Sequence, residues 1–176
     1  MWGPAPVTST NGYRFYAIFI DDYSRFTWFY PLKQKSDFYE ALLVFVPFVQ
    51  NQLSCTVKTF QSDGGTEFTN NRVQKFFHEL GIHHQMSCPH TPEQHGRVER
   101  KHRHITETGL AMLFNSHAPA TLWTDAFASA TFIINRLPSS ILDFKSPYEI
   151  LYGCTPTYSN LRIFGCRVFP YLRDYA

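Results

Sequence analysis

The sequence has few of the features that mark extracellular or membrane proteins. Its four cysteines, Cys55, Cys88, Cys154 and Cys166, form no C-x-x-C pair, so the chain offers neither a disulfide framework nor a compact zinc motif. We interpret them as reduced thiols of an intracellular protein. No apolar run is long enough to span a bilayer, and the residues after Met1 do not form a signal peptide. We therefore expect a protein that is neither secreted nor inserted in a membrane.

The sequence also lacks a large net charge, internal repeats and low-complexity segments. The formal net charge is only +2, so the molecule is not a polycation, and its basic residues are concentrated locally between Arg97 and His104. A chain of 176 residues with 44% hydrophobic and 17% aromatic residues is long and apolar enough to fold around its own core. A local basic patch on such a domain indicates a binding site for a polyanion.

The order of periodic segments predicts a mixed three-layer α/β domain. Alternating aromatic residues predict a hairpin of two strands at residues 13–21 and 25–32, and shorter strands are predicted at 56–61 and 82–87. Helical periodicity predicts a helix that is capped by Ser36, kinked at Pro47 and apolar on one face, formed by Phe38, Leu42, Phe45 and Val49. Further helices are predicted at 70–80, ended by Gly81, and at 147–152, capped by Ser146. A helix at 121–136 is predicted to carry an apolar stripe of Trp123, Phe127, Ala130 and Ile134. The helix at 70–80 is expected to bury Val73, Phe76, Phe77 and Leu80. Residues 161–169 have the composition of a further strand.

The basic stretch at residues 89–104 (PHTPEQHGRVERKHRH) predicts a helix that carries one acid among many cations. The helix begins either at Thr91 and Pro92 or after a hinge at Gly96, and it continues to about Phe114. At 100° per residue, Glu99 shares a face with His95 and Arg103. An apolar stripe of Val98, Ile105 and Met112 lies on one side of that face, and the opposite side carries Arg97, Arg100, Lys101 and His104. This pattern is typical either of a metal site beside a bound polyanion or of a solvated helix with a Glu99–Arg103 ion pair.

Asp63 is the second acid of interest, because it follows a predicted strand and precedes Gly64 and Gly65. Open α/β sheets place ligand-binding groups at this end of a strand, although an Asp-Gly pair is also ordinary turn chemistry. Asp63 and Glu99 are separated by 35 residues, which are predicted to form a helix, a strand and a loop. That arrangement returns the chain to the same edge of the sheet.

These motifs resemble the core of copia-type LTR-retrotransposon integrases. The resemblance covers nearly the whole chain and is carried by residues 20–25 (IDDYSR), 61–68 (QSDGGTEF), 87–103 (SCPHTPEQHGRVERKHR), 135–138 (NRLP) and 161–166 (LRIFGC). It implies an RNase H-like fold, with the catalytic core at residues 1–138 and a C-terminal extension at 139–176. The implied activity is that of a polynucleotidyl transferase, which processes DNA 3′ ends and inserts element DNA into a chromosome.

The resemblance also implies the residues of the site. Asp63 and Glu99 match the second and third acids of a site that holds Mg²⁺ or Mn²⁺, and Arg97, Arg100, Lys101, Arg103 and His95 are expected to contact DNA phosphates. Mg²⁺ requires oxygen ligands, and two ions roughly 3.5–4 Å apart activate the nucleophile and stabilise the leaving oxygen. Element ends and target DNA are the expected partners, a homo-oligomer is the expected assembly, and the nucleus is the expected place of action after translation in the cytoplasm.

The match to the family begins after its first acid. That acid precedes Trp2 by two positions, and Met1 occupies the position between them. Two acids alone form a poorer metal site, so little or no activity is expected of the chain as written. Asp21 would stand in for the first acid only if a tight hairpin at Thr10 and Asn11 placed it opposite that position, and the family carries this acid without using it.

Two alternatives to an integrase fragment remain open. The first is a remnant of the same fold that binds nucleic acid without cutting it. The second is a zinc-stabilised interaction module, suggested by a group of possible ligands that comprises His78, His83, His84, Cys88, His90 and His95. The adjacent residues His83 and His84 on a strand would point to opposite faces, which argues against zinc.

Overall fold

The computed structural model describes residues 1–87 and 92–169, with the backbone alone described for residues 92–95. It contains four strands: β1 (Phe15–Ile20), β2 (Thr27–Leu32), β3 (Thr59–Ser62) and β4 (His83–Met86). It contains six α-helices: α1 (Phe38–Leu53), α2 (Thr66–Thr69), α3 (Asn71–Glu79), α4 (Pro92–Ser116), α5 (Trp123–Ile134) and α6 (Pro147–Tyr152). None of the helices in the described residues combines the length and the apolar character that crossing a membrane requires.

The strands form two pairs of different direction. β1 and β2 are antiparallel with Phe15 opposite Leu32, as predicted for the hairpin, and β1 is also bridged to Trp2 through Tyr16. β3 and β4 are parallel, with Ser62 opposite Met86. Because paired parallel strands end at one edge, the segments that follow Ser62 and Met86 leave this sheet on the same side.

The contacts divide the chain into two compact units. The first comprises Met1–Ile20 and Thr27–His104, and the second comprises Asp21–Phe26 and Ile105–Ala176. This geometric division does not test the predicted family boundary at residue 138, which stays a prediction.

The first unit has an aromatic core beneath its strands. The predicted face of α1 is confirmed, since Phe38, Leu42, Phe45 and Val49 are all buried, and Phe19 of β1 stacks on Phe45 with a centroid distance of 4.1 Å. The core is completed by further buried residues of this unit: Ala17, Leu32, Ala41, Val46, Phe68, Val73, Phe77 and Ile82. Asn70 caps α3 by accepting a hydrogen bond from the Val73 amide at 3.1 Å, and Gly81 ends it with a φ of 65°.

Two details of these helices differ from the prediction. Ser36 is not the N-cap of α1, because the Asp37 carboxylate accepts hydrogen bonds from the Lys33 and Gln34 amides and closes a 3₁₀ turn first. Leu80 is 47% exposed because it lies at the end of α3, and the buried apolar position falls to Ile82 after the turn.

In the second unit, α5 buries the predicted stripe of Trp123, Phe127, Ala130 and Ile134. The predicted cap of α6 is also confirmed, because the buried Ser146 hydroxyl accepts a hydrogen bond from the Glu149 amide at 3.1 Å. A methyl group at Gly109 of α4 would lie 2.3 Å from a ring carbon of Phe127, so this glycine allows the ring to approach the helix backbone.

The strand predicted near the C-terminus is wrong over the described residues 161–169. The Cys166 amide bonds the Ile163 carbonyl in a turn around Gly165, whose φ is 80°. The Arg162 guanidinium donates to the carbonyls of Ser159 and Leu161 at 3.0 and 2.8 Å. These local bonds replace the pairing that a strand would need.

Candidate active site

Asp63 is the first residue after β3, and its carboxylate is exposed. Its Oδ1 accepts a hydrogen bond from the Gly65 amide at 3.0 Å, which fixes the carboxylate over the turn that begins α2. The Asp-Gly turn expected from the sequence is therefore present. The turn orients the acid at the edge of the sheet, so the turn is compatible with a functional role for Asp63.

A second carboxylate, that of Glu67, lies beside Asp63. A methyl group at Gly65 would lie 3.0 Å from both Asp63 Oδ1 and Glu67 Oε2, so the two acids flank the same small space. Sequence reasoning did not single out Glu67, because its proximity depends on α2, a single helical turn that no periodicity could predict.

The backbone of Met1 also lies close to these acids. Burial lowers the pKa of the Met1 amino group below its usual value, whereas the negative charges of Asp63 and Glu67 act in the opposite direction. The pKa falls overall, so the effect of burial exceeds the attraction of the two carboxylates.

Glu99 lies on α4, the helix that follows β4, and its side chain is exposed. α4 begins at Pro92 and runs through Gly96, so the first of the two predicted starts is correct, and the hinge at Gly96 is not present. The capping residue proposed for this start, Thr91, lies outside the described residues. The meeting of Glu99 with Asp63 across a metal ion stays a prediction.

The cations of α4 are displayed largely as expected. Arg97, Arg100 and Arg103 are exposed and Lys101 is half-buried, while the side chain of His95 lies outside the described part of the chain. The i,i+4 pairing that would make Glu99 and Arg103 a simple surface ion pair is not among the salt bridges of the described residues.

The buried face of α4 differs from the predicted stripe. Val98 is 41% exposed, Met112 is half-buried, and the buried positions are His102, Ile105, Gly109 and Leu113. The difference arises because α4 turns His102 inward. Its side chain is 8% exposed, and its Nδ1 lies 3.1 Å from the hydroxyl of the fully buried Tyr16. Tyr16 in turn stacks on Trp2 and bridges it through the backbone. His102, one turn after Glu99, therefore connects that part of α4 to β1.

Asp21, the residue weighed as a replacement for the first acid, is engaged locally. Its carboxylate accepts hydrogen bonds from the amide and the hydroxyl of Ser24 at 2.8 and 2.6 Å. Trp2 pairs with Tyr16, so the register of this strand does not bring Asp21 opposite the position two residues before Trp2. The structure supports a turn-forming role for Asp21.

The histidines of the zinc hypothesis are not gathered into a site in the described residues. His78 and His83 are exposed, and His84 is hydrogen-bonded to Ser62 and Gln74. Among the described side chains, no group of three or more His, Cys, Asp or Glu residues is arranged to hold a metal ion. The remaining members, Cys88, His90 and His95, lie outside the described side chains.

Comparison with known proteins gives consistent results for sequence and structure. The family described as "Integrase core domain" matches residues 2–92. The retrovirus-related Pol polyprotein from transposon RE1 of Arabidopsis thaliana is 46% identical over 171 residues, and that from transposon TNT 1-94 of Nicotiana tabacum is 34% identical over 170 residues. Each alignment covers 97% of this chain and only 12 or 13% of the relative, so the chain spans about an eighth of these polyproteins.

Two solved structures have the same fold at low sequence identity. The HTLV-2 integrase catalytic core domain in complex with magnesium (trimeric form) has a TM-score of 0.59 and 19% identity, covering 76% of this chain and 82% of that one. The simian T-cell lymphotropic virus intasome in complex with PP2A regulatory subunit B56 gamma has a TM-score of 0.65 and 18% identity, covering 96% and 57%. The predicted RNase H-like fold and the resemblance to copia-type elements are confirmed.

Proposed function

The chain belongs to the integrase core domain family, and we propose that it is the part of a copia-type retrotransposon integrase that binds DNA and a divalent metal ion for strand transfer. The observation that carries this proposal is the parallel pairing of β3 and β4. Asp63 follows β3, and the segment leading to α4 and Glu99 follows β4, so both acids belong to connections that leave one sheet edge. In this proposal Asp63 and Glu99 are metal ligands and catalytic residues.

The donor atoms fit a hard divalent cation. Mg²⁺ and Mn²⁺ prefer carboxylate oxygens, and the Asp63 carboxylate is exposed, held by one amide and accompanied by Glu67. A metal bound there would lower the pKa of a water molecule and neutralise charge that develops on a phosphate.

The residues of this chain would act by positioning DNA. The exposed guanidinium groups of Arg97, Arg100 and Arg103 come before and after Glu99 along α4, where they can bind phosphate oxygens on either side of a scissile bond. Lys101 and His95 extend this surface in the proposal. Contacts of this kind depend little on sequence and weaken steeply with salt.

We propose that the intact protein acts in the nucleus as an oligomer on element ends and target DNA. Two similar structures support this view, since one is described as a trimeric form and the other as an intasome. Because the chain spans only an eighth of its polyprotein relatives, these properties belong to the longer protein.

A nicking assay on labelled duplex DNA in Mg²⁺ or Mn²⁺ tests the proposal. It compares the 176-residue chain with a longer version that carries an Asp two positions before Trp2. We expect the longer version to cut and the shorter one to bind DNA with little cutting, because a third acid completes the ligand set. Asp63→Asn and Glu99→Gln should abolish cutting in the longer version, whereas Glu107→Gln, an exposed acid two turns further along α4, should not.

The outcomes separate an integrase fragment from a binding remnant. Cutting that survives both Asp63→Asn and Glu99→Gln would show that the site is assigned to the wrong residues. Salt-dependent DNA binding without cutting in either version would favour the remnant. Loss of DNA binding in Arg100→Ala and Arg103→Ala, with folding unchanged, would locate the phosphate-binding surface on α4.

A further inference from the structure

A continuous set of hydrogen bonds lies behind the Asp63 turn. The Ser62 hydroxyl donates to the Asp63 carbonyl oxygen at 2.9 Å and lies 2.9 Å from Nε2 of His84. On the other side of the same ring, Nδ1 of His84 lies 2.8 Å from Nε2 of Gln74. The Gln74 amide also donates to the carbonyl of Phe68 at 3.3 Å. The set joins β3, β4, α3 and the end of the turn that carries Asp63.

The donors and acceptors of this set are compatible with one arrangement of protons. Because the Ser62 hydroxyl gives its hydrogen to the Asp63 carbonyl, it accepts from Nε2–H of His84. Nδ1 of the same ring is then an acceptor for one Gln74 hydrogen, and the other Gln74 hydrogen goes to Phe68. A neutral imidazole protonated on Nε2 satisfies every member.

The surroundings of His84 favour this neutral ring. It packs against Phe77 with a centroid distance of 5.1 Å, and burial and the neighbouring His83 both lower its pKa. His83, on the same strand, is the titratable group that acts on His84, and the hydrogen-bond partners Ser62 and Gln74 are uncharged.

Ser62 is held through its backbone as well as its hydroxyl. Its carbonyl accepts the Ser87 amide and the Ser87 hydroxyl, both at 3.0 Å. Ser87 is buried and is the residue from which the chain continues towards α4. Ser62 is therefore the point at which the turn bearing Asp63 and the start of the connection to Glu99 are fixed to each other.

We propose that His84 is a positioning residue that orients Asp63 through Ser62. The inference rests on the proposed function, because it assigns His84 to the same metal site. Its side chain contacts neither acid of that site in any described hydrogen bond. It acts on the Asp63–Gly64 peptide, and the Gly65 amide then holds the carboxylate. Mutation of residues that orient metal ligands through hydrogen bonds typically changes metal affinity by 10-fold or more.

Manganese binding to the 176-residue chain, measured by electron paramagnetic resonance, tests the proposal. His84→Leu should raise the Kd for Mn²⁺ about 10-fold, because the Ser62 hydroxyl loses its donor. His84→Gln should restore the Kd to within about twofold of wild type, since its amide can donate from nearly the position of Nε2. His83→Leu is the matched control, because His83 is exposed on the neighbouring position of β4. Ser62→Ala should reproduce the loss, and it decides the test if His84→Leu does not fold.

Hydrogen exchange of the Gly65 amide provides a second readout that does not need a metal. This amide bonds Asp63 Oδ1, so its exchange should accelerate in His84→Leu and Ser62→Ala and return to the wild-type rate in His84→Gln. If Asp63→Asn binds Mn²⁺ as well as wild type does, the proposed function fails, and Gly65 exchange still decides the role of His84. Unchanged Kd and unchanged exchange in a folded His84→Leu protein would overturn the inference. So would equal losses in His84→Leu and His84→Gln.

Discussion

Acid should destabilise the first unit through one buried histidine. His102 is buried beside the hydroxyl of Tyr16, and burial lowers its pKa to about 3, with the positive amino group of Met1 acting in the same direction. In the unfolded chain the ring has an ordinary pKa near 6.5. The folded protein therefore keeps His102 neutral over a range of pH in which the unfolded chain binds a proton.

The sign and size of the effect follow from proton linkage. Above about pH 6.5 both states are neutral and His102 costs nothing. Below it the unfolded state is stabilised by about 1.36 kcal/mol for each pH unit, until the folded ring also titrates near pH 3. The free energy of unfolding should therefore fall by about 2 kcal/mol between pH 7 and pH 5 because of this residue alone.

Urea unfolding at pH 7, 6 and 5 measures this dependence. His102→Gln, which cannot titrate, should remove about 2 kcal/mol of the difference between pH 7 and pH 5, whatever its stability at pH 7. His104→Gln is the control, because His104 is exposed on the same helix and should leave the slope close to that of wild type. Equal slopes in wild type and His102→Gln would refute the reasoning, as would a His102 pKa near 6.5 in the folded protein by NMR.

Three further predictions concern packing and capping, and each is measured by chemical denaturation. Gly109→Ala should destabilise the protein by about 1–3 kcal/mol, because the added methyl group overlaps a buried ring even though alanine favours a helix. Gly96→Ala in the same helix meets only the flexible end of an arginine and should be neutral or stabilising, and the reverse order would contradict the packing argument. Phe77→Ala should cost about 3–5 kcal/mol, and Val98→Ala should cost less than about 0.5 kcal/mol; a large loss at Val98 would mean that the helix is buried on its other face. Ser146→Ala should cost about 1 kcal/mol through the lost helix cap, and no change would show that the cap is not formed in solution.

Local patterns predicted the elements whose own residues determine them. The aromatic hairpin, the buried faces of α1 and α5, the Asn70 and Gly81 ends of α3 and the Ser146 cap all follow from periodicity or from one capping side chain. The position of Asp63 after a strand could be predicted for the same reason. The pairing of β3 with β4 follows from the resemblance to a family rather than from local signals.

The failures occur where a tertiary contact reverses a local expectation. A histidine such as His102 is expected at the surface unless a partner such as the Tyr16 hydroxyl is available inside. Of the predicted stripe of α4, Ile105 is buried, whereas Val98 is exposed and Met112 is half-buried. The network around His84 could not be predicted either, because it joins residues from four elements, β3, β4, α2 and α3. The segment 161–169 has the composition of a strand, but its Leu161 carbonyl accepts from the Arg162 guanidinium and its Ile163 carbonyl accepts from the Cys166 amide.

β3 and β4 end opposite each other, at Ser62 and Met86, and this pairing determines where residues can be added or removed. The position of the sheet edge depends on the alignment of Ser62 with Met86 and not on the number of residues between the two acids. An added residue in the turn at Gly81 should leave that alignment intact, because this turn precedes the paired residues of β4. Deletion of His83 would shift His84 by one position, move its ring to the opposite face of β4 and separate it from Ser62. An insertion at this turn should therefore be tolerated, and deletion of His83 should not.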